Sequence, residues 1–78
     1  MSTLTIKKSC NAIDIQFSDV SMSIYLSDGR VISIPLEWFP RLRDASKKEL
    51  ETWRLIGEGE GIHWNLLDED ILVENLLN

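Results

Sequence analysis

The sequence predicts a small α+β fold: an antiparallel meander of three or four strands packed against one or two short helices. Three observations carry that expectation. Residues 12–36 hold three consecutive runs in which apolar and polar side chains alternate, the period-two pattern of half-buried strands. Asp28-Gly29 separates the second run from the third, and a tight hairpin there needs residues that tolerate positive φ. Beyond Leu36 the period lengthens, and Ser46-Lys47-Lys48-Glu49 has the spacing of a capping box.

Each element follows in order. In Ala12–Phe17, Ile13, Ile15 and Phe17 share one face and Asp14 and Gln16 the other. A turn at Ser18-Asp19 leads to Val20–Leu26, where Val20, Met22, Ile24 and Leu26 face inward. A type I′ turn at Asp28-Gly29 then leads to Arg30–Leu36, with Ile32, Ile34 and Leu36 on one face. Pro35 has no N–H to give a ladder, so it marks a strand end or a sheet edge. Trp38, Phe39 and Leu42 fall at helix-like spacing, with Pro40 tolerable only at a helix start. The capping box opens a helix expected from Lys47 to about Arg54, burying Leu50 and Trp53 and stopping at Gly57.

The rest of the chain is less regular. Gly57, Gly59 and Gly61 alternate with Glu58 and Glu60. If this stretch is extended, both glutamates lie on one side, and the glycines allow close backbone approach or a sharp bend. Ile62-His63-Trp64 suits a short strand, and Asp68–Asp70 a turn or helix start. Ile71, Val73, Leu76 and Leu77 would close the core as a last strand or a last helical turn. Trp38, Trp53 and Trp64 are many tryptophans for a small core. Two are expected inside, which leaves the third open as an interface anchor.

Length and composition bound the class. With 78 residues the chain is read as one domain, residues 1–78, whose core is marginal because so small a domain buries only about 60% of its unfolded surface. No apolar run approaches the ~20 residues of a membrane span, and the first ten residues do not read as a signal peptide. Cys10 is the only cysteine, so no internal disulfide is available, and a cytoplasmic location fits.

The charge distribution says more than the net value of −5. Over residues 1–36, Lys7, Lys8 and Arg30 balance Asp14, Asp19 and Asp28. Over residues 37–56, Arg41, Arg43, Lys47, Lys48 and Arg54 slightly exceed Glu37, Asp44, Glu49 and Glu51. Residues 57–78 hold Glu58, Glu60, Asp68, Glu69, Asp70 and Glu74 with no lysine or arginine. Such a field attracts a basic partner and repels nucleic acid.

The candidate chemistries are weak beside that signal. A phosphate cradle needs a glycine-rich loop with a cation or a helix dipole behind it, and GEGEG instead carries two carboxylates. His63 with Asp68, Glu69 and Asp70 offers metal-ligand chemistry, but without a second histidine or a cysteine pair the set is incomplete. Cys10 and His63 lack any context that would activate a nucleophile. Arg41, Arg43, Lys47 and Lys48 lie near Trp38 and Phe39, a combination that can stack single-stranded bases. Interleaved acids make a solvated helix face the better reading. No catalytic residue, cofactor site or metal site is assigned, and direct nucleic-acid binding is not expected.

The segments PLEWFPRLRDAS and WRLIGEGEGIHWNLLDEDILVENLL, with the hairpin SIYLSDGRVISIPLEWF before them, resemble the bacterial family known as domain of unknown function 2442. Trp38-Phe39-Pro40-Arg41-Leu42, Ile62-His63-Trp64 and Leu67-Asp68-Glu69-Asp70-Ile71 carry the likeness, which spans residues 12 to 77. It implies a small α+β fold and a frequent gene neighbour in an arrangement like a toxin–antitoxin pair, with this family on the antitoxin side. It supplies no catalytic residues. Three positions depart from the family's usual pattern: Asn65 where proline is common, Glu58 where glycine is common, and Asn75 where glycine is frequent.

The expectation is therefore a non-catalytic, antitoxin-like module that binds and neutralises a small basic protein. Glu58, Glu60, His63, Asp68, Glu69, Asp70 and Glu74 are the candidate partner-binding residues. Two other readings stand beside it. One is an acidic inhibitor that mimics nucleic acid and occupies a basic groove, as small phage inhibitors do. The other is a structural homo-oligomer, a homodimer being the simplest, since a small open sheet leaves edges to be covered.

Overall fold

The computed structural model describes residues 11–77, so Cys10 and the other N-terminal residues considered above lie outside the described part. The class is α+β, but the strands form two antiparallel sheets of three rather than one meander. β1 (Ala12–Phe17), β2 (Ser21–Leu26) and β3 (Val31–Pro35) make the first sheet in the order β1-β2-β3. A 3₁₀ turn (Leu36–Trp38) and two single-turn helices, α1 (Pro40–Arg43) and α2 (Lys47–Leu50), follow. β4 (Trp53–Ile56), β5 (Gly61–Trp64) and β6 (Glu69–Leu72) make the second sheet in the order β4-β5-β6, and α3 (Val73–Leu76) ends the described chain.

The first sheet departs from the expected alternation in one place. Ala12 pairs with Leu26 but Asp14 pairs with Tyr25, so the register slips between them. The extra residue of this bulge is Ile13, which turns outward and is 60% exposed, while Ala12 and Ile15 are buried. A bulge puts two residues opposite one and so breaks the period-two pattern locally. Val20 is also outside, because it belongs to the turn: Ser18 N–H donates to Ser21 C=O at 2.8 Å, and Ser18 Oγ accepts from the N–H groups of Val20 and Ser21.

The hairpin at Asp28-Gly29 forms with a different turn from the expected type I′. Only Gly29 has positive φ, at 98°. Gly29 N–H donates to Leu26 C=O, and Leu26 N–H donates to Arg30 C=O at 2.8 Å. This is the three-residue loop in which a left-handed glycine follows a turn. Asp28 holds it from outside by accepting from Arg30 N–H at 3.1 Å and Arg30 Nε at 2.8 Å.

Pro40 starts α1, as its missing N–H allows. The capping box is complete: Ser46 Oγ accepts from Glu49 N–H at 3.1 Å, and Glu49 Oε1 accepts from Ser46 N–H at 2.9 Å. The helix it opens is shorter than expected, ending at Leu50 rather than near Arg54. Thr52 closes it, donating from its N–H and its hydroxyl to Glu49 C=O. Trp53–Ile56 is then strand, because the alternation of Trp53 and Leu55 with Arg54 and Ile56 fits a sheet face.

The second sheet and the helices complete one core. Trp64, Ile62, Ile71 and Val73 are buried with Ile15, Met22, Ile24, Leu26, Ile34, Leu36, Leu42 and Leu50. The Trp64 indole Nε1 donates to Leu50 C=O at 3.1 Å inside this core. Of the three tryptophans, Trp64 is fully buried, Trp53 packs partly buried against the core, and Trp38 stands 65% exposed. The chain end resolves as both of the expected alternatives, strand to Leu72 and helical turn from Val73. Asn75 lies within that turn without positive φ.

Candidate partner-binding surface

Gly57, Glu58, Gly59 and Glu60 form the β4–β5 turn rather than an extended stretch. Ile56 C=O accepts from the N–H groups of both Gly59 and Glu60, each at 3.1 Å. Gly59 has φ 99°, and its C=O accepts from Ala12 N–H at 2.8 Å. A Cβ on Gly59 would lie 2.3 Å from Ala12 C=O, so this glycine is the point where the two sheets touch backbone to backbone. Glu58 and Glu60 project from that turn, both exposed.

The structure sends five of the seven candidate residues to two ends of the second sheet and leaves His63 and Asp70 paired between them. Gly61 pairs with Leu72, and Val73 N–H donates to Glu60 C=O at 3.0 Å, which places Glu74 at the same end of the sheet as Glu58 and Glu60. Trp64 pairs with Glu69 at the other end, next to the turn that holds Asp68 at φ 52°. About 10 Å of strand separates the ends. The acidic segment is therefore two clusters and not one continuous row.

Between them runs a cross-strand line of three side chains. Arg54 pairs with His63, and His63 with Asp70. Directly opposed residues share a sheet face, so cation, imidazole and carboxylate stand side by side on the face away from the core. His63 Nδ1 is hydrogen-bonded to Asp70 Oδ1. Glu69 is also engaged, with Arg41 Nε 3.8 Å from its Oε1, while Arg41 Nη1 donates to Leu67 C=O at 3.0 Å. Among the described residues, no three His, Cys, Asp or Glu side chains are grouped to hold a metal ion.

The basic stretch is partly spent in the same way. Arg43 donates to both carboxylate oxygens of Asp44, at 3.0 and 3.2 Å. That guanidinium holds the Asp44 carboxyl below its usual range. With Arg41 turned to Leu67 and Glu69, two of the four cations in residues 41–48 face protein groups.

A groove of about 900 Å³ lies between β3 and β6. Trp38, Ile56 and Leu72 line it, and each is a large apolar side chain with substantial exposure. Asp70 belongs to its wall, so the groove joins the acidic face to an apolar one. No stretch of the sequence announces this groove. Its only signal was Trp38, the tryptophan left without a place in the core.

No helix among the described residues is long and apolar enough to cross a membrane. No curated protein matches the chain. Among solved structures, a crystal structure of a protein of unknown function from Rhodospirillum rubrum ATCC 11170 is similar, with 24% sequence identity, 90% of this chain and 87% of that chain covered, and a TM-score of 0.78. That likeness is one of fold. The family match goes further: residues 12–78 match the model described as "Protein of unknown function (DUF2442)", and the chain belongs to that family.

Proposed function

We propose that this chain is a non-catalytic protein-binding module, antitoxin-like in action, that neutralises a small basic partner. One observation carries the reading. The segment from Gly57 onward holds six carboxylates and no cation, and an exposed apolar groove opens beside it. None of the described charged side chains is buried, so the acids other than Glu69 and Asp70, which face Arg41 and His63, act on solvent and on whatever approaches. Charge of one sign steers encounter, and apolar anchors such as Trp38 hold the complex once formed.

The nucleic-acid mimic reading draws on the same charge but has less support. A mimic needs carboxylates in a phosphate-like row. Here they stand in two clusters, with Glu69 facing Arg41 and Asp70 facing His63.

The steering claim is tested by association kinetics against the partner isolated from the cell. Glu58→Lys with Glu60→Lys changes two exposed turn residues and leaves Gly57 and Gly59 in place. The double variant is expected to associate about tenfold more slowly at low salt and to converge on the parent as salt rises. An unchanged rate at low salt would remove the electrostatic part of the proposal.

A further inference from the structure

The groove between β3 and β6 is walled by three consecutive residues of each strand: Ile32, Ser33 and Ile34 on one side, Asp70, Ile71 and Leu72 on the other. Successive side chains of a strand point to opposite faces. A cavity over a sheet face is therefore lined by every second residue. Three in a row means that this groove runs along the strand edges, and β3 and β6 are edge strands of their sheets.

Register then settles which backbone groups face outward. Leu36 N–H donates to Val20 C=O and Leu26 N–H to Arg30 C=O. The pairs between them, Ile24 with Ile32 and Met22 with Ile34, continue the same bonded set. Bonded and non-bonded pairs alternate in an antiparallel ladder, so the N–H and C=O of Val31 and Ser33 point away from β2. On β6, Val73 N–H donates to Glu60 C=O, and by the same alternation Asp70 and Leu72 point their backbone groups away from β5. Among the described residues, no strand pairs with either edge.

We infer that the groove binds an extended segment of a protein partner by strand addition. The segment would carry apolar side chains at alternate positions and lysine or arginine between them. Outward N–H and C=O groups recurring every second residue fit an incoming strand. Trp38, Ile56 and Leu72 accept the apolar side chains. Asp70 in the wall, within a segment that has no lysine or arginine, selects basic ones.

A second copy of the chain fits less well. Two β3 strands paired antiparallel about Ser33 would set Val31 against Pro35, which has no N–H, so the carbonyl of Val31 would go unmet. Two copies would also bring like-charged surfaces together. The inference rests on the protein-binding reading above and adds the form of the bound segment.

The test is a titration of the isotope-labelled chain with a short synthetic peptide of alternating lysine and valine, read by amide hydrogen exchange and chemical shift. Exchange is expected to slow by about tenfold or more at the amides of Val31, Ser33, Asp70 and Leu72. The same peptide N-methylated at every second residue should bind about tenfold more weakly, since it loses backbone donors and little else. Three results would overturn the inference: changes confined to Glu58, Glu60 and Asp68, which is plain charge attraction; equal binding of the methylated peptide; or protection of the four amides that rises with protein concentration alone, which makes the occupant a second copy. A basic partner that binds the chain without touching these amides would defeat strand addition and leave the module reading standing.

Discussion

The indole of Trp64, the last residue of the central strand β5, donates to the backbone carbonyl of Leu50 at the end of α2. This bond joins the second sheet to the helical segment inside the core. It also satisfies one of the carbonyls that a helix end leaves without an intrahelical partner.

Trp64→Phe keeps an aromatic ring but leaves that carbonyl unmet and a small void beside it. We expect a loss of about 2–4 kcal/mol. In a domain of this size each kcal/mol is worth about 4–8 °C in Tm. Thermal unfolding followed by circular dichroism checks this, and a change of only a degree or two would show that the bond is dispensable.

Gly59 and Gly29 make a controlled pair. Both have φ near 100°. A Cβ at Gly29 meets nothing within 4 Å, whereas one at Gly59 would sit 2.3 Å from Ala12 C=O. Gly29→Ala should therefore cost only the left-handed backbone penalty, about 1–2 kcal/mol. Gly59→Ala should cost at least about 2 kcal/mol more, because the two sheets must move apart. Equal urea midpoints for the two variants would contradict the close approach.

Ser46→Ala removes one half of the capping box. Ser46 no longer accepts from Glu49 N–H, and the expected cost is about 1 kcal/mol. Glu49→Ala should cost a similar amount, and the double variant less than the sum, because the two bonds belong to one motif. Chemical denaturation of the three variants reads this directly, and full additivity would mean that the two halves act independently.

Parts of this architecture were legible in the residues and parts were not, for physical reasons. The capping box is local chemistry, and it forms as spelled. The strands of the first sheet follow from period two, except at Ile13, where a bulge costs one residue of register and leaves no mark in composition. The helix expected from Lys47 to about Arg54 overruns the start of β4 at Trp53 and Arg54, because so short a stretch does not separate the two periods, and only the pairing of Trp53 with Trp64 decides it. The glycines at 57, 59 and 61 point to close approach or a sharp bend without saying which of them approaches what, and the partner of Gly59, Ala12, lies 47 positions away. The groove could not be seen at all. Its walls come from residues 32–39 and 56–76, and no window along the chain contains both.

The same limit shaped the candidate site. Six acids in the last 22 residues look like one surface along the sequence. The hairpin of β5 and β6 sends them to two ends, and His63 and Arg41 engage two of them. Glu58, Glu60 and Glu74 at one end and Asp68 at the other remain for a partner, and Asp70, whose side chain is 66% exposed beside His63, fronts the groove.

On the proposed function, this surface holds a basic protein. The most direct measurement is to tag the chain, isolate it at moderate salt from the cell that encodes it, and identify what accompanies it in stoichiometric amount. One small basic protein is expected, released as salt is raised. Recovery of the chain alone, or only with further copies of itself, would contradict it.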